Sequence, residues 1–156
     1  MTAKDRETIR VVLVGDCGVG KTTYLKQLAN FGYVSQYYPT NGIKQYDIWV
    51  KDRKIRIRDI AGKEKHSAFF RYRAIRGADV VMIFLDMTNY LSYTNGVKWV
   101  NWIKEIQEDI YIIIIGTKSD SKFLKWKSPP KDLYEFPFIV TSSRLKSNIE
   151  IPFLYI

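Results

Sequence analysis

Three short strings in the chain combine residue types suited to a phosphorylated ligand. The first, GDCGVGKT from Gly15 to Thr22, has the spacing G-x-x-x-x-G-K-[ST]. Its glycines let backbone N–H groups turn inward around an anion at a helix N-terminus. Lys21 can then reach the terminal phosphates, and the Thr22 hydroxyl can ligate magnesium. Alone, such a string also fits an ordinary glycine turn; a strand before it and a helix after it make it an anion cradle. The second, DIAGKE, pairs Asp59 with Gly62. An acidic residue there can hold magnesium through water, and a glycine N–H can approach a γ-phosphate closely, although D-x-x-G is also a common turn. The third, TKSD, ends in Asp120. That carboxylate could accept hydrogen bonds from the N1 and N2 donors of guanine, a pair adenine lacks, while the Lys118 stem packs over the ring. A solvated polar turn is the plain reading of each string, but their order on successive strand ends argues against coincidence.

The elements around the strings supply the required context. IRVVLVG is a short, branched apolar run of the kind found in buried parallel strands, and KTTYLKQLANF spaces Tyr24, Leu25, Leu28 and Phe31 as a helix does. IKQYDIWV and KIRIRDI alternate apolar and polar residues around Lys51 to Arg53, which predicts an antiparallel hairpin. ADVVMIFLD and IYIIIIGT are continuous apolar strands separated by a helix whose stripe is Val97, Val100, Ile103 and Ile106, and FPFIV is a last strand. Strands alternating with helices imply an α/β doubly wound sheet with its ligand at the carboxyl ends of the strands.

Composition bounds the rest. A chain of 156 residues with 46% apolar content suits one domain with a real core. The single cysteine, Cys17, cannot form an internal disulfide, which fits an intracellular, reducing setting. No apolar run approaches the length of a membrane span. Thr2 and the cysteine-free IPFLYI lead to the expectation of no lipid anchor. The formal charge of +9 favours anionic partners, but the basic residues form no compact run and carry no nucleic-acid-binding signature, so direct nucleic-acid binding is disfavoured.

Taken together, GDCGVGKT, DIAGKE and TKSD make the chain resemble a small GTPase of the Ras superfamily over nearly its whole length. The resemblance implies a P-loop G domain over residues 1–156: a six-stranded, mostly parallel sheet with one antiparallel strand, helices on both faces and a shortened C-terminal helix. It implies binding of GTP and GDP with Mg2+. Asp16, Cys17, Gly18, Val19, Gly20, Lys21, Thr22 and Thr23 would then wrap the phosphates, with Thr22, Thr40 and Asp59 on the metal. Without a gap, YVSQYYPTNG falls over the first switch, so that Thr40 matches its threonine, Tyr37 the tyrosine covering the nucleotide and Tyr33 the aromatic beside guanine. Thr117, Lys118 and Asp120 read the base, and TSSR, with Ser142, Ser143 and Arg144, matches the last base-contacting loop. Lys21, Thr40, Gly62 and Lys63 would carry hydrolysis. DMTNYLSYTNGVKW and YRAIRGAD resemble Rab proteins, whereas GKEK and KSNIEIPFL are similar to Ran, the side favoured here.

Four departures qualify the resemblance. Thr117 replaces the usual asparagine, as in Rho proteins, so guanine selectivity is expected to survive. Ser143 and Arg144 replace alanine and lysine, which loosens base contacts. The tail is short, and the two prolines of SPPKDLY break the usual helix before the last strand, so helix cover and stability are reduced. Lys63 occupies the place of the glutamine that orients the attacking water. An ammonium donates but cannot accept, so intrinsic hydrolysis should be slow unless Lys63 swings out into solvent.

The expectation is therefore a monomeric, soluble guanine-nucleotide switch, cytoplasmic or nuclear, read by effector, exchange-factor and activating proteins with acidic surfaces. The alternatives are a GTP-locked module with negligible turnover that competes for the effectors of another small GTPase, a P-loop nucleoside or shikimate-type kinase, and a basic nucleic-acid-binding protein. TKSD and the absence of a lid segment argue against the kinase.

Overall fold

The computed structural model describes residues 8–30, 34–40, 43–60 and 68–156, with the backbone alone for 34–40, 43 and 68–71. In chain order the elements are β1 (Ile9–Gly15), α1 (Lys21–Asn30), β2 (Val34–Thr40), β3 (Ile43–Val50), β4 (Arg53–Asp59), α2 (Ala68–Ile75), β5 (Val80–Asp86), α3 (Tyr90–Ile106), β6 (Tyr111–Thr117) and β7 (Phe138–Val140). Short 3-10 turns at Lys131–Leu133 and Ile151–Tyr155 complete them.

The strands form one sheet in the order β2-β3-β4-β1-β5-β6-β7, and β3 alone runs against the rest. The six expected strands are all present. A seventh, β2, joins the edge through antiparallel pairing with β3, in the stretch expected as the first switch rather than as a strand. The chain builds one side of β1 first and the other side afterwards, so the carboxyl end of β1 lies where the winding reverses. A doubly wound sheet binds its ligand at such a point.

Period-two alternation divides the central strands between two cores. Val11 and Leu13, Met82 and Phe84, and Ile113 and Ile115 face α1, where Tyr24, Leu25 and Leu28 meet Ile149 and Phe153. Val12 and Val14, Ile83 and Leu85, and Ile112 and Ile114 face α2 and α3. Strands covered on both faces have no polar side, which is why their sequences are continuous apolar runs.

α3 begins where the Asn89 side chain, on a residue in extended conformation, accepts from the Leu91 N–H at 2.9 Å. Its buried residues are Ser92, Gly96, Val100 and Ile103, while Val97 and Ile106 of the expected stripe flank them half-buried. The displaced stripe has a steric cause, since Gly96 sets the closest approach of α3 to β5. A Cβ on Gly96 would sit 2.9 Å from Leu85 Cδ1 and 3.2 Å from Leu133 Cδ1.

Between β6 and β7 the prolines leave no α-helix, as expected, and only the turn Lys131–Leu133 forms. Cover comes from two buried anchors, Leu133 and Trp126. The Trp126 indole lies 6.0 Å from Phe138 and 5.4 Å from Tyr93, and its Nε1–H donates to the Asp86 carbonyl at 3.0 Å. After β7, Ile151–Tyr155 forms a short 3-10 turn where the sequence predicted a shortened C-terminal helix. No helix among the described residues is long and apolar enough to cross a membrane.

The Gly96 contact gives a test. In Gly96→Ala the helix-propensity gain of about 1 kcal/mol opposes a clash with the movable ends of two leucines, leaving stability within about 1 kcal/mol of the parent. Gly96→Val adds two further carbons to the same gap and should lose about 1–3 kcal/mol in urea unfolding.

Candidate functional site

β1 delivers the chain at Gly15 and α1 receives it at Lys21, so GDCGVGKT occupies the carboxyl end of the central strand, with the strand-before and helix-after context its reading required. Gly20 has a φ of +104°, a conformation L side chains rarely adopt, and a Cβ there would enter open space. Among the described residues nothing fills that space, as an anion cradle at a helix N-terminus demands. Val19 is the loop's anchor: its side chain is buried in the α1-side core. Lys21 is only 6% exposed, and its ammonium donates to the Gly15 carbonyl at 2.9 Å. Burial pushes its pKa down, while the nearby Asp59 and Asp16 carboxylates act in the opposite direction. Thr22 and Thr23 are exposed on the first turn of α1, and Cys17 is an exposed free thiol.

The ends of β5, β6 and β7 close on the same loop. The Thr117 hydroxyl donates to the Val19 carbonyl at 2.6 Å, so the residue replacing asparagine ties β6 to the phosphate loop. Lys118, with a φ of +61°, donates to the Gly18 carbonyl at 3.1 Å and to Asp86 Oδ2 at 2.7 Å. Burial alone would raise the Asp86 pKa, but the Lys118 ammonium and the bonds from the Thr88 hydroxyl and N–H hold it below the ordinary carboxylate value. Asp120 Oδ1 accepts from the Ser142 hydroxyl at 2.7 Å, and Ser142 in turn accepts from the Leu145 N–H at 3.0 Å. Thr141 takes the Ser119 N–H at 3.1 Å, which fastens the two loops together. Between them lies a cleft of about 800 Å³, lined by Gly20 and Thr23 at one end and by Lys118, Asp120, Ser143 and Arg144 at the other.

Asp59 ends β4, 5% exposed. Its Oδ1 has no hydrogen-bond partner among the described residues, and burial pushes its pKa up against the pull of Lys21 and Lys44. A buried carboxylate oxygen with no partner among the described residues suits a hard cation such as magnesium, which the exposed Thr22 hydroxyl could also ligate. Thr40 is placed differently. The rungs Leu13–Asp59, Asp59–Lys44 and Lys44–Pro39 put the end of β2 three strand spacings from β1, about 14 Å. Thr40 and Tyr37 both lie on β2, which is described by backbone alone. Tyr33, Gly62 and Lys63 lie outside the described residues.

Sequence reasoning missed several participants. Asp86 ends β5 as Asp59 ends β4, and the same strand-end logic would have found it. Thr88, Lys122 and the exposed Phe123 also line the cleft. Asp16, expected as a ligand-binding residue, sends its carboxylate to Asn95 and Trp99 on α3; a fold-level contact across the sheet leaves no local signal.

The Asp86 ion pair generates a pH test. Because the folded pKa lies below the unfolded value of about 3.9, its stabilisation is present above that pH and is lost as pH falls through the folded pKa. With Lys118 partly exposed, Asp86→Asn should cost the ligand-free protein about 1–2 kcal/mol at pH 7. In paired urea titrations that difference should shrink towards zero in acid.

A family model described as the Ras family matches residues 10–156. That span contains the phosphate loop, the Asp59 strand end and the Asp120 cleft, so the chain belongs to the Ras family of small GTPases.

Proposed function

We propose that the chain is a guanine-nucleotide switch of Ran-like or Rab-like type, which binds GTP and GDP with magnesium and hydrolyses GTP slowly. The observation that carries this reading is the Asp120 carboxylate, held by the Ser142 hydroxyl at 2.7 Å inside the cleft that also contains Gly20 and Thr23 of the phosphate loop. A ligand with guanine at one end and phosphates at the other matches the polarity of that cleft. Asp120 takes the two donors on the Watson–Crick edge of guanine, the Lys118 stem covers the ring, and Ser143 and Arg144 close the far side.

At the other end, inward N–H groups of the loop and the Lys21 ammonium take the β- and γ-phosphates. Thr22 and Asp59 would hold magnesium, whose charge helps to neutralise the terminal phosphates. Thr40 joins them when β2 leaves the β3 edge, and the segments around Thr40 and Gly62 form the surface that effectors, exchange factors and activating proteins read. GKEK supports the Ran-like side and DMTNYLSYTNGVKW the Rab-like side.

A second reading, a GTP-locked module, rests on Lys63. Orienting the attacking water needs an acceptor, and an ammonium has none.

Two measurements test these readings. Asp120→Asn should weaken GDP binding by about 2–3 kcal/mol and shift preference towards xanthine nucleotides, because a charged hydrogen-bond acceptor is lost. Equal affinity of the unmodified protein for GDP and ADP would overturn the guanine reading. Lys63→Gln should raise single-turnover GTP hydrolysis at least about tenfold, corresponding to about 1.4 kcal/mol of transition-state stabilisation. Equal rates would make Lys63 a spectator and remove the support for a locked module.

A further inference from the structure

Asp16 is the first residue of the loop after β1, and both of its carboxylate oxygens are engaged by α3. Oδ2 accepts from Asn95 Nδ2 at 2.9 Å, and Oδ1 accepts from Trp99 Nε1 at 3.0 Å. The two donors are four residues apart and so share one face of the helix. The indole is itself braced, edge-on to Trp102 at 5.7 Å and 78°, and it packs against the core between α3 and the sheet. Neither donor carries a charge, so the carboxylate is held in place without being neutralised. Asp86 differs in this respect, because its charge is met by the Lys118 ammonium.

A retained negative charge in a loop built to surround an anion needs an explanation. Its field reaches the Lys21 ammonium, the cation that meets the phosphates. If its tether were cut, the carboxylate could swing towards the cradle, bond the inward N–H groups or Lys21, and repel the incoming phosphate.

We propose that Asn95 and Trp99 are positioning residues for the phosphate loop, holding the Asp16 carboxylate on α3 so that it does not compete with the bound phosphates. The inference rests on the nucleotide-binding reading above and adds α3 to the groups that determine how long the nucleotide stays. It predicts an effect that grows with ligand charge, so a triphosphate suffers more than a diphosphate. It also predicts that a freed carboxylate is worse than none.

The experiment follows the dissociation of fluorescently labelled GDP and of a labelled non-hydrolysable GTP analogue from the full chain. The double variant Asn95→Ala/Trp99→Phe, which cuts both tethers and keeps an aromatic ring against Trp102, should release GDP about tenfold faster and the GTP analogue faster still. Adding Asp16→Ala should return both rates to within about threefold of the unmodified protein, a rescue that loss of packing alone would not give. If the double variant lacks a cooperative unfolding transition, Trp99→Phe alone is compared with Trp99→Phe/Asp16→Ala, with the same order of rates expected. Unchanged release from the untethered variants, or no rescue by Asp16→Ala, would overturn the inference while leaving guanine binding intact. An unmodified chain that binds neither nucleotide would overturn both.

Discussion

The phosphate loop lies outside regular secondary structure, and its shape is imposed by its neighbours. Gly15 is held by Lys21, Gly18 by Lys118, Val19 by Thr117, and Asp16 by Asn95 and Trp99. Most of these bonds end on loop carbonyls. Carbonyls of Gly15, Gly18 and Val19 are thus engaged by the surrounding protein, and these contacts fix the backbone of the loop from outside it. The parallel sheet exists, in functional terms, to bring β6 and α3 within reach of the turn that follows β1.

The same arrangement explains where the basic charge is useful. An excess of nine positive charges first suggests a general anionic partner. Lys118, Lys122 and Arg144 line the cleft, and Lys21 lies at the loop beside it. Part of the excess thus concentrates where a polyphosphate would raise the local negative charge. The carboxylates nearby are individually managed: Asp86 by an ion pair, Asp16 by neutral donors and Asp59 by burial beside Lys21.

Much of this was legible because strands and phosphate loops obey local rules. IRVVLVG and YIIIIGT could hardly be anything but buried parallel strands, and GDCGVGKT carries its geometry in its glycines. The α3 stripe was displaced because Gly96 is not apolar by count, yet close packing against Leu85 puts it at the centre of the buried face. The cover over β6 and β7 could not be foreseen residue by residue. Prolines told of a broken helix but not that Trp126 would reach the Asp86 carbonyl. The tether from Asp16 to Trp99 spans 83 positions in sequence, and no local pattern encodes a contact of that range.

One feature of the sheet also bears on how copies of the chain avoid pairing edge to edge. Its strands are rich in isoleucine and valine, the composition that drives edge-to-edge association when a long, flat edge is exposed. Both edges here are poor templates. β7 has only three residues, too few to recruit a foreign strand. β2 carries an irregularity in register between Val34 and Gln36, and Pro39 removes one donor from its ladder. The most aggregation-prone segments, β5 and β6, lie inside the sheet: β5 is paired with β1 and β6, and β6 is paired along its length with β5 and over Ile114–Gly116 with β7. The architecture that places a ligand at the central strand ends thus also sequesters the stickiest parts of the sequence from other copies of the chain.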